Sequence, residues 1–161
     1  MRAAAVAWSS AAQLARRRPE TRALHGLWRL AMFIVDLPRT HPRIDTITGL
    51  ALSPTQALGD EVAPAFGAAI RGALSAGAEV IAQAEDAGSL GSPDAAARMI
   101  ELWMALQGPV RLRKLARVVP EMGADHGTRI ARALFLAWGA PKKGLESARK
   151  LAEATATASD S

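Results

Sequence analysis

The sequence predicts an all-α protein built as a helical bundle, and three observations carry that prediction. Alanine, which has the highest intrinsic helix propensity, supplies 36 of the 161 residues. Strand-favouring residue types are thin, since tyrosine is absent and aromatics make up only 4%. Proline and glycine cut the chain into segments whose apolar residues recur three and four positions apart. Half of the residues are hydrophobic and mean hydropathy is +0.08, enough to bury the core of one domain over residues 1–153.

The elements follow in order. Ala3 to Arg18 reads as a first helix with Val6, Leu14 and alanines on a small-residue face. Pro19 and Glu20 are favourable first-turn residues for the next helix. Its apolar positions Leu24, Leu27, Trp28, Ala31 and Val35 form one face, and Leu30, Phe33, Ile34 and Leu37 another. A helix apolar nearly all round belongs in the middle of a bundle. Pro38 and Pro42 are expected to end it. Ile44 to Leu52 is expected to form one or two helical turns. Ser53-Pro54-Thr55-Gln56 has the form of a capping box. The helix it opens carries Val62, Phe66, Ile70, Leu74, Gly77, Val80 and Ile81, bends at Gly59 and Pro64, and stops at Gly88.

Ser92-Pro93-Asp94 is a second strong start, followed by Met99, Leu102, Trp103, Leu106 and Val110, with a kink at Gly108-Pro109 and an end at Pro120. Asp125 is the expected cap of a helix carrying Ile130, Leu134, Phe135 and Trp138, closed by Gly139 and Pro141. Leu145, Ala148 and Leu151 mark one to three amphipathic turns, and residues 154–161 are expected to fray.

The chemistry available is narrow. Without cysteine there are no disulfides, thiolate metal sites or Cys nucleophile. His25, His41 and His126 lie far apart and outside any ligand spacing, and no glycine-rich segment has the lysine of a phosphate loop. No catalytic residue, metal or cofactor is expected. The longest run without a charged residue, Thr46 to Gly59, is too short and too broken to span a bilayer, so a soluble cytoplasmic chain is expected. Net charge is +5, but residues 1–50 are basic, 51–100 acidic and 101–161 basic. Mixed blocks are weaker than one basic face as a sign of nucleic-acid binding. The run Arg111, Arg113, Lys114, Arg117 lacks interleaved aromatics and reads as a solvated face.

From about Leu37 to Gly139 the chain resembles the C-terminal ligand-binding and dimerisation domain of the tetracycline-repressor (TetR) family of transcriptional regulators. Three segments carry the resemblance: Leu37-Pro38-Arg39-Thr40-His41-Pro42; Ala82 to Leu90 followed by Ser92-Pro93-Asp94; and Leu102-Trp103-Met104-Ala105-Leu106-Gln107-Gly108. The resemblance implies that residues 1–18 form the connecting helix below a DNA-binding head. It makes Leu24–Leu37 and Thr55–Ala87 pocket walls, and Pro93–Val119 and His126–Gly139 the paired helices of a dimer. The family's helix-turn-helix head, of about fifty residues, has no counterpart here. The chain is therefore read as a fragment, a mis-started frame or a headless relative, which contacts no nucleic acid itself.

The expected function is effector sensing and dimerisation, with a small apolar ligand bound. The alternative is a helical adaptor that docks another protein through its apolar seams. A homodimer is expected through Met99, Leu102, Leu106 and Val110 beside Ile130, Leu134 and Trp138, a seam too large for one short helical pair to hide. The pocket is expected among Trp28, Met32, Phe66, Ile70, Trp103 and Gln107, with Gly67 and Gly72 leaving room. Gln107 and His25 would supply its polar groups.

Overall fold

A computed structural model of the chain describes residues 19–51, 63–91, 93–112, 118–119 and 125–159. Six helices and no strand lie among the described residues: α1 Pro19–Thr40, α2 Pro42–Ala51, α3 Ala63–Asp86, α4 Ala95–Leu112, α5 His126–Ala137 and α6 Lys142–Ser159. The protein is all-α. The expected helix over Ala3–Arg18, the capping box at Ser53–Gln56 and the basic positions Arg113, Lys114 and Arg117 lie outside the described residues.

The apolar faces of α1 dictate its place. Leu24, Leu27, Trp28, Ala31, Ile34 and Leu37 are buried, and α1 packs against every one of the other five helices. Trp28 is at the centre, with its ring edge-on to Phe135 of α5 at 5.3 Å and its Nε1 donating to the Leu145 carbonyl of α6 at 3.0 Å. That hydrogen bond satisfies the one polar atom of the indole inside the core. Glycines allow three close helix approaches: Gly26 faces Val80, Gly77 faces Met99, and Gly127 faces Val35. At Gly77 a Cβ would run into the Met99 thioether, so the glycine lets Met99 of α4 lie directly against the α3 backbone.

The helix ends follow local chemistry. Gly88 (φ +68°) and Gly139 (φ +96°) take the left-handed conformation after α3 and α5. Ser89 N–H donates to Ala84 O and Ala140 N–H to Phe135 O, both at 2.9 Å, which closes each helix in a Schellman turn. The two turns touch, because Gly91 N–H donates to Trp138 O at 2.7 Å.

Four boundaries differ from expectation. Helix α1 runs through Pro38 to Thr40. Proline there removes one backbone bond, but Thr40 Oγ1 donates to Asp36 O and His41 N–H to Leu37 O, so the last turn holds. Helix α2 is ten residues long rather than one or two turns. Asp125 sits at the start of α5 in a helical conformation and makes no side-chain cap bond. Residues 154–159, expected to fray, continue α6, whose Thr155 hydroxyl back-bonds to Leu151 O and approaches His25 Nε2 at 3.5 Å. Contact with α1 holds α6 in place beyond what its own weakly apolar sequence would do.

Helix α3 is also the one described helix long and apolar enough to cross a membrane, and only 11% of its most apolar stretch is buried within the chain. Counting charge-free runs missed it, because Arg71 and Glu79 interrupt the sequence without making the helix polar.

Candidate functional site

A half-open cleft lies between α1 and α5. Trp28, Ala31, Met32 and Val35 supply the α1 wall, every third or fourth residue along one side of the helix. Gly127, Thr128 and Ala131 supply the α5 wall, and Asp36 and Asp125 complete the lining. Its volume is about 230 Å³, below the usual range for a drug-sized ligand and suited to a small one. The cleft exists because the two helices are held at two levels. Gly127 lets Val35 approach at one, and the Trp28–Phe135 edge contact spaces the helices at the other.

The surface available for binding is apolar carbon from Met32 and Val35 with the buried Trp28 and Ala131 behind them, a hydroxyl on Thr128, and carboxylates on Asp36 and Asp125. Asp36 also lies 4.0 Å from the Arg39 guanidinium. This set can bind an apolar body and orient it through a few polar groups. Among the described residues, no group of three or more His, Asp or Glu side chains is placed to hold a metal ion.

Two of the expected pocket residues, Trp28 and Met32, line this cleft. The other five lie elsewhere. His25 is buried on the α6 side of α1, where loss of water and then the Arg29 charge push its pKa below the usual histidine value. Phe66 and Ile70 are half-buried on the first turns of α3, and Trp103 and Gln107 are half-exposed on α4. Trp28 pairs with Phe135, and Phe135 in turn with Trp138 at 5.6 Å.

The expected dimer seam is mostly consumed within the chain. Met99, Leu102, Leu106, Val110 and Trp138 are buried by this chain's own helices, while Ile130 and Leu134 are half-buried against the same core. Periodicity identified a true apolar face, but its cover is this chain's own α1, α3 and α5. The large apolar side chains that α4 does expose, Ile100 and Met104, lie on its opposite side.

Sequence reasoning missed the α5 wall. Gly127 and Ala131 are small residues four positions apart, the spacing that opens one side of a helix to close approach. That pair was the available signal.

No protein-family model, no curated protein and no solved structure matches this chain.

Proposed function

We propose that this chain is the effector-binding and dimerising module of a one-component transcriptional regulator resembling the tetracycline-repressor type, working in the cytoplasm. The observation that supports this reading most directly is the cleft between α1 and α5, apolar on its walls and polar at Thr128, Asp36 and Asp125. Its occupant is a small, mainly apolar molecule with one or two polar groups. Helix α1 touches every other described helix, so a ligand wedged between α1 and α5 favours one placement of α1 over another. Such a difference in affinity between two arrangements is what couples binding to a distant partner domain.

The test uses an environment-sensitive naphthylamine dye and a Thr128→Trp variant. Thr128 is half-exposed at the cleft, so an indole there fills the space without entering the core. Dye fluorescence is expected to rise with the unmodified protein and to fall at least about tenfold in affinity with Thr128→Trp, a loss of roughly 1.4 kcal/mol. Equal dye binding by both proteins, with equal helicity, would place the ligand somewhere else.

A further inference from the structure

The cleft between α1 and α5 has two unlike ends. Its lining rises about 12 Å along α1, from Trp28 to Asp36, and about 9 Å along α5, from Asp125 to Ala131. Val35 lies against Gly127 and Trp28 lies edge-on to Phe135, so the two helices pass each other in opposite directions. Asp36 follows Val35, and Asp125 comes two residues before Gly127. Both carboxylates therefore stand at the same end, and Thr128 stands with them. The other end is hydrocarbon, Met32 with the buried Trp28 and Ala131 behind it. Trp28 offers no donor there, because its Nε1 is spent on the Leu145 carbonyl.

We propose that the occupant of this cleft is a small apolar amine, bound as its ammonium between Asp36 and Asp125 with its hydrocarbon toward Trp28. This rests on the ligand reading of the cleft and gives that ligand a charge.

The argument is charge complementarity. The charged side chains of the lining are two carboxylates, and among the described residues no lysine, arginine or histidine joins them. Three positive features lie nearby. Arg39 is 4.0 Å from Asp36 and 63% exposed, so water screens most of that contact. Arg129, one turn along α5 from Asp125, is exposed and outside the lining. The start of α5 carries roughly half a positive charge, which the full negative charge of Asp125 exceeds. Asp125 makes no side-chain cap bond that would commit it to the helix. A carboxylate accepts up to about four hydrogen bonds, so an ammonium adds to the Arg39 contact instead of displacing it. An alkylammonium brings three N–H donors, enough for the two carboxylates and the Thr128 hydroxyl together. An anion would set its charge against both carboxylates.

Three probes with one carbon skeleton test the charge: 2-phenylethylamine, 2-phenylethanol and phenylacetate, which are cationic, neutral and anionic near pH 7. A one-ring probe suits a cleft of about 230 Å³. In isothermal titration the amine is expected to bind at least about tenfold tighter than the alcohol, and phenylacetate weakest of the three. Asp36→Asn with Asp125→Asn keeps shape and removes charge. The pair should cut the amine's advantage to less than about threefold, with helicity retained. Thr128→Trp should weaken amine and alcohol alike. An alcohol that binds as tightly as the amine, with both blocked by Thr128→Trp, overturns the amine and leaves the cleft as the ligand site. A naphthylamine dye held in the cleft while the amine fails to bind at millimolar concentration does the same. An amine preference that survives both Asn substitutions overturns the proposal as well. Probe binding indifferent to Thr128→Trp overturns the ligand reading of the cleft, and the amine with it.

Discussion

The α3–α4 and α5–α6 hairpins use the same local devices and place them in different surroundings. In each, the first helix ends on a left-handed glycine, Gly88 or Gly139, with a Schellman turn behind it. In each, an Arg–Glu pair joins the two helices, Arg98 to Glu85 and Arg132 to Glu146. The first pair is 10% and 8% exposed; the second is 36% and 36%. Glu85 also accepts from the Asp94 N–H, and Arg98 donates to Gly91 O and lies over the Trp138 ring at 5.6 Å. The α5–α6 pair has water as a competitor and shares Glu146 with Arg149. The same residue types are thus a structural necessity in one hairpin and a surface adornment in the other. Solvent decides, because a charge in water is already well stabilised.

The largest contrast should come from removing one carboxylate from each hairpin. Glu85→Ala leaves Arg98 buried and unpaired and is expected to cost about 3–5 kcal/mol in denaturant unfolding. Glu146→Ala should cost less than about 1 kcal/mol. Similar losses from the two substitutions would break the comparison.

The turn glycines give a smaller contrast in the opposite direction. Gly88→Ala meets no neighbour and bears only the left-handed penalty of about 1–2 kcal/mol. Gly139→Ala bears that penalty and also sets its Cβ 3.1 Å from Gly91 N, where the two turns are hydrogen-bonded. It should be the more destabilising of the two, and thermal melts of both variants would show the order.

The smallest effect concerns His25, which is held against α6. Its pKa is lowered in the folded protein, so the unfolded chain binds the extra proton more readily. Stability should therefore be unaffected above pH 6.5 and decline as pH falls below it, down to the folded pKa. His25→Gln should flatten that part of the melting-temperature profile. A decline of the same size without His25 would assign it to other groups.

The legible part of the fold was whatever depends on local spacing. The all-round apolar pattern of Leu24 to Leu37 put α1 at the centre, and Gly88 and Gly139 marked their helix ends. What spacing does not carry is the identity of the cover. Met99, Leu102, Leu106 and Val110 share a face in any reading, but only tertiary packing says that α1, α3 and α5 of the same chain cover it. The length of α6 was hidden for a related reason. Its sequence is weakly apolar, and contact with α1 stabilises turns that propensity alone leaves marginal. At the cleft, Trp28 and Met32 stood out by size, whereas Gly127 and Ala131 act by being small. A missing side chain leaves no mark in a search for large apolar ones.

The indole of Trp28 and the carbonyl of Leu145 are 117 residues apart in the chain. A ribosome adding about 5–20 residues per second needs roughly 6–23 s to bridge that interval. For that time α1, the helix on which every other described helix packs, emerges without its α6 cover, and the nascent chain is exposed to association with other chains or to capture by chaperones. Slow translation of the intervening segment should lengthen that exposure and lower the yield of soluble protein.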